Sequence, residues 1–221
     1  MSSIAGKRVV IFTNGVIGNP RFYLPLLEKN DFILCANGGT VAVLELDLLP
    51  DLVVGDLDSL GQKERSLLAE RDVPVIRYPA EKDYSDLELA LMHALDNGAT
   101  EIIILGAGGG RPDQFFANLM LLNLPLKKKV PAVMVNEEAE IRLVDGEMTV
   151  DGEVGEILSL LPVSEEVSGI TTKGLRYPLC KESLHFSSTR GLSNLLNETR
   201  AHISLEKGLL LVIHLRNEGP S

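Results

Sequence analysis

Two aspartates separated by one residue carry the most chemistry in this chain. They close the run Leu49-Pro50-Asp51-Leu52-Val53-Val54-Gly55-Asp56-Leu57-Asp58-Ser59, in which an apolar stretch ends in glycine. In extended backbone alternate side chains point the same way, so Asp56 and Asp58 are expected to converge just beyond a strand end. Two close carboxylates repel each other unless a cation sits between them. Hard oxygen ligands favour Mg²⁺, which reaches phosphates as well. A metal–phosphate site is therefore the first expectation.

A second acidic group, Glu81-Lys82-Asp83-Tyr84-Ser85-Asp86, opens a helical pattern. One reading is capping, with Asp83 as N-cap and Asp86 favoured by the helix dipole. The other is that Asp86 supplies the third ligand that the Asp56–Asp58 pair needs. A third constellation is Leu105-Gly106-Ala107-Gly108-Gly109-Gly110-Arg111-Pro112-Asp113-Gln114. Glycines such as Gly109 and Gly110 let backbone approach a ligand and present N–H groups to phosphate. The run is neither the dinucleotide fingerprint nor a P-loop, since Arg111 replaces the last glycine and no Gly-Lys-Ser/Thr follows. Arg111 can clamp a phosphate through two parallel hydrogen bonds. Asp113 could accept from a substrate hydroxyl or ring amine, or could simply cap a tight strand-to-helix turn. Asn37-Gly38-Gly39 is a weaker motif that a turn and helix start also explains. The four histidines show no ligand or triad spacing, and Ser59 has no Gly-x-Ser-x-Gly context.

The elements that must position these groups alternate. Strands are expected at Arg8–Thr13, Phe32–Ala36, Leu52–Val54, Val73–Tyr78, Glu101–Leu105 and Ala132–Asn136. Helices are expected at Phe22–Lys29, Thr40–Leu46, Lys63–Glu70, Ser85–Asn97 and Asp113–Leu122. Ser85–Asn97 is the clearest, with Leu87, Ala90, Leu91, Ala94 and Leu95 on one face and Gly98 as its cap. Such alternation implies an α/β fold with a mostly parallel sheet flanked by helices, and ligands beyond the carboxyl ends of the strands. Asn14, Gly38, Asp56 and Gly108 fall at such ends. From Glu140 the pattern changes to short strand-like runs: Ile141–Val144, Glu156–Leu161, Leu184–Ser187, His202–Leu205 and Leu209–Leu215. These predict a C-terminal all-β sandwich or barrel, with one domain over 1–137 and a second over 138–221. Thr171–Leu179 and Thr189–Asn194 read as loops, and Tyr177 could stack on an aromatic ligand.

Composition narrows the class. The 221 residues are 45% hydrophobic with a formal net charge of -10, and the mean hydropathy is +0.14. That supports a sizeable core. The only compact basic run, Lys127-Lys128-Lys129, reads as a solvated loop after a helix, which argues against nucleic acid. Two distant cysteines, Cys35 and Cys180, give no thiolate zinc site and fit a reducing compartment. No apolar stretch reaches bilayer length, so no membrane partner and a cytoplasmic location are expected.

Taken together the motifs resemble the thiamine pyrophosphokinase family. The matching pieces are Cys35–Gly39, Pro50–Ser59, Lys82–Asp86, Leu105–Gln114, Thr171–Leu179 and Ser193-Asn194, which span nearly the whole chain. The resemblance implies transfer of a diphosphate group from ATP to the hydroxyl of thiamine, releasing AMP. It implies an N-terminal α/β domain, a C-terminal β-sandwich, and a homodimer whose active sites are shared between subunits. On the family pattern Asp56, Asp58 and Asp86 hold Mg²⁺, Arg111 contacts phosphate and Asp113 faces thiamine, with Asp86 or Asp113 orienting the hydroxyl. Asn37, Gly38, Gly39, Lys82, Gly109, Gly110 and Gln114 would bind substrate. Tyr177, Ser193 and Asn194 would reach the thiamine ring. Asn37 stands where aspartate is usual, Tyr177 where some members carry tryptophan, and Gln114 where many bacterial members carry histidine. Other Mg²⁺-dependent nucleotidyl or phosphoryl transferases, and a non-catalytic nucleotide-binding regulator, are the alternatives.

Overall fold

The computed structural model describes residues 3–79, 81 and 83–216. The chain divides into two compact units, Met1–Glu137 and Glu138–Ser221. In the first unit, apolar runs too short for helices pair into a parallel sheet. Its strands are β1 (Arg8–Phe12), β2 (Phe32–Ala36), β3 (Leu52–Gly55), β4 (Val75–Arg77), β5 (Glu101–Leu105) and β6 (Ala132–Val135). They lie in the order β6-β5-β1-β2-β3-β4. β1 is central, paired in parallel with β2 and β5. Its residues Val9 to Phe12 are fully buried, as a strand covered on both faces demands.

Five helices connect these strands: α1 (Gly39–Glu45), α2 (Gln62–Glu70), α3 (Asp86–Asp96), α4 (Pro112–Leu121) and α5 (Asn123–Lys127). α3 buries Leu87, Leu89, Ala90, Leu91 and Ala94. Burial of each leucine contributes roughly 1.5–3 kcal/mol. The start of α3 corrects the capping expectation. Its N-cap is Ser85, whose hydroxyl accepts from the Glu88 N–H at 3.1 Å. Asp83 lies outside the helix and is exposed. The expected helix at Phe22–Lys29 is instead a 3₁₀ segment, Pro20–Leu26. Pro25 lies inside it and has no N–H for a longer hydrogen-bonded run.

The second unit is antiparallel. One sheet joins β12 (Asn194–Leu195), β9 (Ile157–Pro162), β14 (Leu210–Leu215) and β7 (Ala139–Val144) in that order. The other joins β11 (Glu182–His185), β10 (Glu166–Lys173), β13 (Arg200–Ser204) and β8 (Glu147–Asp151). Leu158, Leu160, Leu210 and Val212 from the first sheet meet Val167, Ile170, Ala201 and Ile203 from the second in one core. This is the expected β-sandwich. Three of its strands, β8, β10 and the two-residue β12, were not anticipated; the expected loop at Thr171–Leu179 begins as the end of β10, and the one at Thr189–Asn194 ends on the first residue of β12.

Candidate active site

Three connections of the first unit meet at one side chain. The turn after β2 carries Asn37, the turn after β3 carries Asp56 and Asp58, and Asp86 is the first residue of α3. Asn37 Nδ2 donates to Asp56 Oδ1 at 2.9 Å, Asp58 Oδ1 at 2.8 Å and Asp86 Oδ2 at 3.0 Å. Its two protons are thus shared among three carboxylates. The residue is only 4% exposed, and its Oδ1 is buried without a hydrogen-bond partner. Backbone bonds fix it in place. Asn37 N–H donates to the Val54 carbonyl at 2.8 Å, and its own carbonyl accepts from the Thr40 hydroxyl at 2.8 Å. Its φ of 46° is left-handed, a region that asparagine enters more readily than most residues.

Glycine at position 55 is what lets the cluster close. A Cβ there would lie 2.9 Å from Asn37 Cβ and 3.2 Å from Asp86 Oδ1. The aspartate pair itself converges by a different route from the one expected. The strand ends at Gly55, and Leu57 turns to a φ of 67° with its side chain in the core. A bulky residue there costs on the order of 1–3 kcal/mol, offset by burying Leu57. Asp56 Oδ1 then accepts from the Asp58 N–H at 3.0 Å, closing a tight turn. The Asn37 amide, and with it Asp56 and the Ser59 hydroxyl, holds the Asp58 carboxyl below the usual carboxylate range.

The glycine loop ends beside this cluster. Gly109 and Gly110 have φ of 73° and 68°. A Cβ on Gly109 would meet Val16 Cβ at 2.8 Å. Arg111 and Asp113, expected on separate substrates, are paired with each other. Arg111 Nη2 reaches Asp113 Oδ2 at 2.6 Å and Nε reaches Oδ1 at 3.1 Å. The pairing raises the guanidinium pKa and lowers that of the carboxyl. Asp113 also accepts from the Gln114 N–H, so it serves its own helix start.

Asn37, Asp56, Asp58, Asp86, Gly109 and Gln114 line one pocket of about 320 Å³. Gly38, Gly39, Gly110, Arg111 and Asp113 are not part of its lining. Gly38 packs on Asn14 Oδ1 and Gly39 on the Phe12 carbonyl. Lys82 lies outside the described residues. Sequence reasoning missed Thr13, Phe115 and Asn118, which also line the pocket. Asn118 Nδ2 holds the Ala107 carbonyl at 2.9 Å and so shapes the glycine loop. Nothing in its local sequence marks it.

In the second unit Tyr177 and Asn194 line a smaller pocket of about 140 Å³ with Leu160, Pro178, Arg190 and Leu192. The Tyr177 ring is exposed, with the Arg176 guanidinium 5.7 Å from its centre. Asn194 is buried and its amide is spent on backbone. It accepts from Tyr177 N–H at 3.0 Å and donates to the Tyr177 carbonyl at 2.7 Å. Ser193 is exposed, does not line this pocket, and donates its N–H to the Ser159 hydroxyl.

No three or more His, Cys, Asp and Glu are arranged to hold a metal by themselves among the described residues. The three carboxylates meet on an amide instead. The donor set nevertheless fits Mg²⁺: hard carboxylate oxygens around one point, with an unpartnered buried carbonyl oxygen in the same side chain. No helix among the described residues is long and apolar enough to cross a membrane.

Comparisons with known proteins agree on one family. The family model described as thiamin pyrophosphokinase, catalytic domain, matches residues 23–134. The model for the thiamin pyrophosphokinase vitamin B1 binding domain matches residues 147–210. A thiamine pyrophosphokinase of Bacillus subtilis is 32% identical over 207 residues, covering 90% of this chain and 96% of that protein. Thiamine pyrophosphokinase 1 of Arabidopsis thaliana is 26% identical, covering 91% of this chain and 85% of the relative. The crystal structure of a Bacillus subtilis thiamine pyrophosphokinase superposes with a TM-score of 0.87 at 28% identity, covering 96% of this chain and 100% of the other. That of a Geobacillus thermodenitrificans thiamin pyrophosphokinase gives 0.81 at 29%, covering 96% and 99%. With both halves matched in order and the strand-end carboxylates gathered as the motifs required, this chain belongs to the thiamine pyrophosphokinase family.

Proposed function

We propose that this chain transfers a diphosphate group from ATP to the hydroxyl of thiamine, giving thiamine diphosphate and AMP. The observation that carries the reading is the convergence of Asp56, Asp58 and Asp86 in a pocket that also holds the glycine loop, in a chain of this family. The family match favours it over another nucleotidyl or phosphoryl transferase and over a regulator without catalysis.

The reaction needs positioning and charge neutralisation more than covalent help. Asp56, Asp58 and Asp86 would hold Mg²⁺ by their carboxylate oxygens. That ion, when bound, supplies positive charge to phosphate oxygens and to the departing AMP. The backbone N–H groups of Gly109 and Gly110, exposed residues in the loop leading into α4, would face phosphate. Arg111 would exchange Asp113 for a phosphate oxygen as substrate arrives, which leaves the Asp113 carboxylate to orient the thiamine hydroxyl. An exposed carboxyl is ionised at neutral pH with or without that arginine. Gly38, Gly39, Lys82 and Gln114 are assigned to the nucleotide or thiamine, while Asn37 serves the three carboxylates. Tyr177 offers a ring face to thiamine, and Asn194 holds the Tyr177 backbone that presents it, with Ser193 alongside. A homodimer and a cytoplasmic location belong to the same proposal.

The test is incubation of the protein with ATP, Mg²⁺ and thiamine, with AMP and thiamine diphosphate quantified together. Equal amounts of both, formed only when both substrates are present, are expected. ADP with thiamine monophosphate, free diphosphate, or no product from folded protein would overturn the reading.

A further inference from the structure

The Asn37 side chain has two properties that a structural hydrogen-bonding residue does not usually combine. Its Nδ2 stands 2.8–3.0 Å from an oxygen of each of three carboxylates, the spacing of neighbouring ligands around a shared cation rather than of the cation itself. Its Oδ1 is buried with no partner, which carries a desolvation cost that nothing in this state offsets. The amide orientation is dictated by charge: with Oδ1 turned inward, four oxygens would crowd together with no positive group between them. A cation at the centre reverses that preference. The terminal torsion of asparagine is soft and nearly two-fold, so a half-turn exchanges Nδ2 and Oδ1 without moving the backbone.

We propose that Asn37 is an amide switch at the cation site. Without metal its NH₂ group holds Asp56, Asp58 and Asp86 together. With a divalent cation bound it turns, and Oδ1 becomes the fourth protein oxygen on the ion. This deepens the reading of those aspartates as the cation site and rests on it. The consequence is a site gathered before metal arrives, carrying one negative charge fewer than four carboxylates would give.

The test uses Mn²⁺ alone as probe, its binding read by electron paramagnetic resonance, with melting temperatures in EDTA and in Mn²⁺. Asn37→Gly and Asn37→Asp both tolerate a left-handed φ. Asn37→Gly removes the switch and is expected to bind Mn²⁺ about tenfold more weakly than wild type, within the range for lost supporting ligands. Asn37→Asp adds a charge and is expected to bind about tenfold more tightly, since ligand charge sets cation affinity. Both variants should melt below wild type in EDTA, and Mn²⁺ should restore Asn37→Asp but not Asn37→Gly. Mn²⁺ binding by Asn37→Gly as tight as wild type or tighter would overturn the switch, because the amide would then only compete with the ion. Folded wild type that binds no Mn²⁺ would overturn the cation site itself and the switch with it. Neither result depends on product formation, which separately tests diphosphate transfer.

Discussion

The acidic cluster around Asn37 and the Arg111–Asp113 pair are both charged groups at strand-to-helix turns, yet they are held in opposite ways. The cluster draws residues from three separate connections onto an amide that is 4% exposed. The pair joins two residues of one helix start, with side chains 70% and 66% exposed. The first is set before any ligand arrives, because moving one carboxylate strands a buried amide. The second is an exposed ion pair, worth little by itself and readily exchanged for a phosphate. A site can thus fix its metal-binding geometry while leaving its phosphate clamp free to rearrange.

Substitutions can break or sharpen this contrast. The largest effect is expected at the cluster: Asp86→Asn should lower kcat at saturating ATP and thiamine by about a thousandfold or more. It should also shift the melting temperature in EDTA, because Asp86 shares the amide. At the pair, Arg111→Ala should lower kcat by about a hundredfold with no change in melting temperature, since the arginine is exposed. A coupled AMP assay and a thermal melt on the same two proteins read the difference. Next, Tyr177→Ala should raise the thiamine KM about tenfold, the value of one aromatic contact, with the ATP KM unmoved. The last effect lies away from both sites and touches stability alone. Burial alone would push the Glu140 carboxyl up, but Arg142 and Arg216 outweigh it and hold it below its ordinary value. A lowered pKa in the folded state stabilises the fold above the unfolded value of 4.5 and loses that contribution as pH falls through the folded one. Glu140→Gln should therefore cost about 2 kcal/mol at pH 7 and less below pH 4, as read by urea melts at both values.

The alternating pattern of the first unit was legible because parallel strands buried on both faces read as continuous apolar runs. Glu101–Leu105 and Phe32–Ala36 fall where expected. The second unit hid β10, whose residues Glu166–Lys173 are neither a continuous apolar run nor a clean alternation. Gly169, at a φ of 68°, interrupts the strand, and the register with β11 shifts there. At the site the aspartates, the glycine loop and Arg111 were legible as residue types at set spacings. The role of Asn37 was not, because three connections far apart in sequence must fold before one amide can touch three carboxylates. Leu57 was hidden for a related reason: only its burial in the core explains why a leucine accepts a positive φ. The Arg111–Asp113 pairing needed only two residues of separation, but spacing alone could not choose between that pairing and separate substrates.

The central claim is that the three strand-end carboxylates, gathered on Asn37, are the working centre. Asp58→Asn tests it most directly, because it removes one charge while keeping the shape of the tight turn. The measurement is its single-turnover rate of thiamine diphosphate formation at saturating ATP, Mg²⁺ and thiamine, beside wild type, with folding checked by thermal melt. The account predicts a loss of about a thousandfold or more in a folded protein. A rate within a few-fold of wild type would contradict it.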